Sequence, residues 1–254
     1  MRHVPTLIRR ELGAYFLSPM AYLILLGFQV IALVNFYSLV DMLSQPRMIF
    51  AGLSHPLNAY ISMSFSFWLG MLIAIPALTM RLLAEEKRTG TIESLLTVPV
   101  TEAEVVLGKW VAGVVMYWVL LVPFAIYLPV LRHYGKFPFD LGPLASLGIG
   151  LTTIGMMFVA IGLFFSALTR NQIVAAVGTF VTLFAMLFIT SQAHAYAASR
   201  QEGWADAIQF VAVLPQAQAF GRGLVDLRFV ALHLSVSAFL LYLTVKVLQS
   251  RQGT

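Results

Sequence analysis

Two Gly-Lys pairs offer this chain a start on a phosphate-cradling loop, and neither completes one. Gly108-Lys109 runs into Trp110 and Gly135-Lys136 into Phe137, without the upstream glycine or the hydroxyl residue of G-x-x-x-x-G-K-[ST]. The absence of Cys removes thiolate nucleophiles, disulfides and Cys-based metal sites. His55, His133, His194 and His233 could ligate a metal, but no two stand at a compact ligand spacing, so no metal site is expected. Neither H-E-x-x-H nor G-x-S-x-G occurs, and no catalytic residue is assigned.

The chemistry that remains is electrostatic, and it is concentrated. Of the 27 charged residues among 254, eight lie between Glu85 and Lys109. Glu85-Glu86-Lys87-Arg88 leads to Thr89-Gly90-Thr91, where Gly90 supplies a left-handed position at which a helix can end. Ile92, Leu95 and Leu96 then fall at i, i+3 and i+4, one apolar stripe on a helix whose length Pro99 limits. A helix that short needs a partner surface or a membrane to hold it. Thr101-Glu102-Ala103-Glu104 matches a capping box, with Thr101 as N-cap, Glu104 reaching back, and Val100 and Val105 placed as a hydrophobic staple. The segment is expected to leave a span, form a short helix suited to docking, turn sharply and return.

The elements that must position this segment are membrane spans. The chain is 59% hydrophobic and only 11% charged, with a mean hydropathy of +0.86. A soluble domain of this length would be about 25% charged. Six runs are long enough to cross a bilayer: roughly 20–40, 58–80, 105–130, 144–168, 173–192 and 229–247. No Lys, Arg, Asp or Glu occupies the interior of a run, Lys109 counting with the segment before the third. The expectation is one all-α, six-span integral membrane domain over 1–254, with 85–104 and 193–227 as its longest loops. A pI of 9.6 with a charge of +5 scattered at run ends fits membrane anchoring, and no nucleic-acid partner is expected.

Lys and Arg also orient the chain. With the N-terminus inside, the inner segments hold ten of them and the outer loops six, so both termini are expected in the cytoplasm. Residues 3–17 form an amphipathic helix, with Val4, Leu7, Ile8, Leu12, Tyr15 and Phe16 on one face, suited to the inner leaflet. Trp204, Ile208 and Val211 give a second short apolar face, stopped by Pro215. That face fits either a re-entrant segment or a helix resting on the outer surface. Ser62 and Ser66 share a face of the second run and are candidates to line a polar path. Ser146, Gly150, Thr153 and Gly155 read as close-packing positions, for which a seam between two copies is one use. Pro76, Pro123 and Pro129 are expected to kink or break their helices.

The stretch LLAEEKRTGTIESLLTVPVTEAEVVLGKW resembles the loop between spans two and three of ABC-2 type transporter permeases, most closely the gliding-motility-associated group. AFGRGLVDLRFVALHLSVSAFLLYLTVKVL resembles that family's last loop and span, so the likeness covers nearly the whole chain. The resemblance implies an inner-membrane permease paired with a separate cytoplasmic ATP-binding subunit in two copies. ATP and Mg would sit on that partner and no cofactor on this chain. A second permease copy or paralogue, and a membrane-anchored extracytoplasmic protein, are further partners it implies. The family's coupling helix carries over onto Gly90, Thr91, Ile92, Glu93, Leu95 and Leu96, flanked by Arg88 and Pro99, and the comparison favours the re-entrant reading of 204–214. The residues themselves agree on need. The chain has no Walker loop and no intramembrane charge for ion coupling, so it requires an external ATPase unless it is a stand-alone channel.

Overall fold

The computed structural model describes residues 4–44, 58–62, 64–90, 101–135, 141–201 and 203–250, and all regular structure there is helical. Six stretches are long and apolar enough to cross a membrane: Pro19–Asp41, Phe65–Thr89, Glu102–Val130, Gly142–Leu168, Gln172–Ser199 and Leu227–Gln249. The chain is an all-α, multi-pass membrane protein.

Helix α1 (Val4–Phe16) precedes span one, α2 (Pro19–Ser44). A π-helical turn, Asn58–Ser62, leads into span two, built from α3 (Phe65–Thr79) and α4 (Arg81–Thr89). Span three is α5 (Glu102–Gly135) and span four α6 (Leu141–Leu168). Span five joins α7 (Gln172–Phe184), a π-helical turn (Ala185–Ile189) and α8 (Thr190–Ser199). Short helices α9 (Ala205–Gln209) and α10 (Val213–Gly221) precede span six, α11 (Leu227–Gln249). Local chemistry sets several of these starts. Ser64 accepts from the N–H of Phe67, Asn171 from Ile173 and Asp226 from Arg228, each side chain satisfying a donor that a helix N-terminus otherwise leaves orphaned.

Spans two and four form the centre: 72% of each one's apolar window is buried, against 17% for span six and 22% for span five. Three glycines of α6 let neighbouring helices close on it. A Cβ at Gly150 would meet the ring of Phe220 at 2.4 Å, one at Gly155 the ring of Tyr117 at 2.1 Å, and one at Gly162 Thr79 Oγ1 at 2.0 Å. The small residues at 150 and 155 therefore receive side chains of the same chain, not of a second copy. Tyr117 OH also donates to Leu151 O at 2.7 Å and Trp110 Nε1 to Met156 O at 3.1 Å, tying span three to span four.

Of the prolines expected to kink or break their helices, Pro123 and Pro129 break none. Helix α5 runs unbroken from 102 to 135 with Pro123 and Pro129 inside it. Only Pro76 has a break near it, at Met80, where span two divides into α3 and α4. The apolar face expected over 204–214 also divides. Helix α9 contributes no buried residue, whereas Val213, Gln216, Ala217, Phe220 and Gly221 of α10 are all buried. Pro215 lies in the first turn of α10, where its missing N–H costs no helical hydrogen bond, so it starts this helix where a stop was expected.

Both ends of the described chain lie on one face of the bundle. Leu248 of α11 packs with Leu82, Leu83, Val106, Leu163 and Ala167, and Leu7 of α1 covers Gly108 at the start of α5. We call this the terminal face.

Candidate functional site

The charged segment begins on the terminal face, and α4 is its first element. Met80, the residue before α4, has no side chain able to cap, which leaves first-turn N–H groups to be satisfied from elsewhere. Ser166 of span four supplies the need. Its Oγ accepts from Leu83 N and Ala84 N, each at 3.0 Å, and donates to Met80 O at 3.0 Å, all in a fully buried position. One turn further, Lys87 Nζ donates to Ala167 O at the end of α6, a cation placed where a helix C-terminus carries negative charge. The side of α4 facing span four is thus fastened at two levels.

The other side is fastened by charge. Lys109, in the second turn of α5, sits 3.0 Å from Glu11 of α1 and 2.8 Å from Glu86 of α4. Arg10 closes the ring, 2.9 Å from Glu11 and 3.1 Å from Glu86. Exposure falls from 49% for the Arg10 side chain to 2% for Lys109, so two cations and two carboxylates balance along a gradient from water to dry interior. A buried ammonium without such partners would be severely penalised. Tyr15 adds a neutral link, its OH donating to Leu78 O at 2.8 Å. Burial pushes that phenol far above its usual range, with the Glu11 charge acting in the same direction and Arg81 against it. Arg81 bonds Glu85 at 2.7 Å and Ser18 at 2.8 Å, joining α4 to the α1–α2 corner. Helix α1 is therefore clamped to α4 and α5 through the centre of its apolar face.

At the far end of α4, Arg88 is exposed and Gly90 adopts φ 73°. Among the described residues nothing lies within 4 Å of a Cβ built at Gly90, and its positive φ makes its role conformational. Thr91, Ile92, Glu93, Leu95, Leu96 and Pro99 lie outside the described residues. On the returning strand of chain the capping box is formed. Glu104 N donates to Thr101 Oγ1 and Thr101 N to Glu104 Oε2, both at 3.3 Å. The charged segment therefore leaves a helix locked from both sides and re-enters on a capped one.

The two serines proposed for a path lie on the opposite face of the bundle. Ser62 is buried in the first π-helical turn, and its Oγ has no hydrogen-bond partner among the described residues. Ser66 points its hydroxyl to Asn35 of span one at 3.4 Å, beside Ser64, which bonds the same amide oxygen. Of the histidines, His233 is enclosed by Thr153 at 3.1 Å and Gln216 at 2.8 Å, and Gln216 bonds Phe210 O at 2.7 Å. His194 contacts Ala205 O at 3.1 Å. Among the described residues no three His, Asp or Glu side chains gather as a metal site would require.

Glu11, Lys109 and Ser166 are the site residues that sequence reasoning missed. Glu11 had a visible signal, a carboxylate among Leu7, Ile8, Leu12 and Tyr15 on an apolar helix face. Lys109 had one too, a cation at the start of the third apolar run, directly before Trp110. Ser166 had none, being one small hydroxyl among many.

The comparisons with known proteins agree with this architecture. The family profile described as ABC-2 family transporter protein matches residues 15–245. No curated relative matches the chain.

Proposed function

Because the chain belongs to the ABC-2 family of transporter proteins, we propose that its charged segment receives the motion of an ATP-binding subunit and passes it to the bundle through α4. Family membership makes the chain the permease component of an ABC transporter, with a cytoplasmic ATP-binding partner. The finer reading places the terminal face in the cytoplasm and the chain in the cell inner membrane, in keeping with the Lys and Arg bias of its loops. Docking of the ATPase is assigned to Gly90, Thr91, Ile92, Glu93, Leu95 and Leu96, flanked by Arg88 and Pro99, in keeping with the resemblance to the gliding-motility-associated permeases.

The observation that carries this reading is the double fastening of α4. A helix held by Ser166 and Lys87 on one side and by Glu11, Lys109 and Arg10 on the other cannot move without its neighbours. When ATP closes two ATPase subunits, a push delivered past Gly90 enters α4 and is shared with α1, α5 and α6. Two permease halves, identical or paralogous, rearrange around a central path, either exporting a substrate or moving a membrane-anchored extracytoplasmic partner. The chain binds no nucleotide itself; ATP and Mg2+ belong to the partner.

A pull-down in mild detergent tests this. The wild-type chain is expected to recover an ATPase, and replacing Ile92, Leu95 and Leu96 by Ser is expected to release it while the permease stays folded. An intact chain that brings down no ATPase, or transport in vesicles that proceeds without ATP, would favour a stand-alone channel instead.

A further inference from the structure

We propose that a cavity of about 290 Å³ between α1, α2, α3 and α4 binds the headgroup of an aminophospholipid taken from the surrounding leaflet. One wall is apolar, formed by Ala14, Met20, Ala21, Ile24, Ala77 and Leu78. The opposite end is charged, and the groups it presents are Arg81 and Glu85, with side chains 39% and 31% exposed. Lys109, Glu11 and Glu86 also line that end, but they are committed to one another.

The shape of this chemistry is that of an amphiphile at a bilayer interface. Phe16, Leu17 and Met20, all on the α1–α2 corner, expose apolar surface beside the cavity, Leu17 at 86%. Such a corner rests in acyl chains, so what reaches the cavity first is lipid. The space suits a headgroup and its first carbons; the acyl tails continue along Met20 and Ile24 into the bilayer.

Charge selects the headgroup. Arg81 uses Nε toward Glu85 and Nη1 toward Ser18. Its Nη2 has no hydrogen-bond partner among the described residues and can take a phosphate oxygen, since guanidinium donors match that geometry. Glu85 Oε2 accepts from Arg81, leaving Oε1 to accept from an ammonium. A purely anionic headgroup would set its phosphate beside Glu85 and bring no ammonium for Oε1 to accept from. A choline headgroup brings the positive charge but no N–H donor. Only a headgroup with both phosphate and primary ammonium meets both residues.

Native mass spectrometry of the purified full-length chain, delipidated in detergent and titrated separately with dioleoyl phosphatidylethanolamine, phosphatidylcholine and phosphatidylglycerol, tests this. The ethanolamine lipid is expected to bind at one equivalent per chain, about tenfold more tightly than either of the others. Glu85→Gln is expected to erase the preference over phosphatidylcholine, and Arg81→Gln to weaken all three. Ala77→Phe, which fills the apolar wall and leaves both charges, is expected to abolish the bound equivalent. Equal retention of the three lipids, or a Glu85→Gln or Ala77→Phe chain that binds as wild type does, would overturn the proposal. So would soluble phosphoethanolamine that binds as tightly as the lipid, since it would assign the cavity to a solute.

Discussion

Lys109 shows how much a single charge inside a membrane bundle depends on its surroundings. Its side chain is 2% exposed, and its ammonium meets Glu11 and Glu86 at 3.0 and 2.8 Å. Replacing it by Met would remove the cation at the dry end of the cluster, where Glu11 and Glu86 both meet it. Breaking a buried pair from one side typically costs about 3–5 kcal/mol, whereas replacing all of its charged members costs far less. Lys109→Met is therefore expected to lower unfolding stability in detergent by an amount of that order, read from denaturant or thermal melts. The triple change with Glu11→Gln and Glu86→Gln is expected to recover most of the loss. A triple variant no more stable than Lys109→Met alone would show that the cluster matters through packing and not charge.

At the scale of elements, span four acts as the post against which others are set, and its glycines make that possible. Gly162 faces Thr79, whose Oγ1, Cβ and Cγ2 would stand 2.0, 2.6 and 2.8 Å from an added Cβ. Gly162→Ala must push α3 away from α6, and overpacking of this kind costs about 1–3 kcal/mol. Thermal unfolding is expected to show that loss. Adding Thr79→Ala is expected to restore only part of it, because Cβ of residue 79 remains 2.6 Å away. Ease of reading differed sharply between elements. The capping box at Thr101 and Glu104 and the helix end at Gly90 are local patterns, decided within four residues, and were legible in full. The partition of 204–221 was not, because α9 and α10 are separated by which of them finds span four to pack on. Neither hydrophobic spacing nor Pro215 carries that information.

For the molecule as a whole, the proposed function gives docking and transmission to different residues. The stripe at Ile92, Leu95 and Leu96 is assigned to docking, and the contacts that fasten α4 are assigned to transmission. Ser166→Ala would leave Leu83 N–H, Ala84 N–H and Met80 O without their partner, at a cost of about 1–3 kcal/mol. The expected outcome is a chain that still recovers its ATPase in a pull-down but stimulates ATP turnover by that partner several-fold less. Loss of the ATPase from the pull-down would instead merge the two roles. Read along the chain alone, the residues specify six spans, an amphipathic N-terminal helix, and a charged segment with a glycine exit and a capped return. Each of these follows from composition, periodicity or spacing along a short window of chain. The locking of α4 emerges only on folding, because Lys109 and Glu11 are 98 residues apart, and Ser166 stands 83 residues from the Leu83 N–H it caps. A buried charge and a helix end left without its own cap are liabilities on their own helices. They become fastenings only when another helix brings the partner.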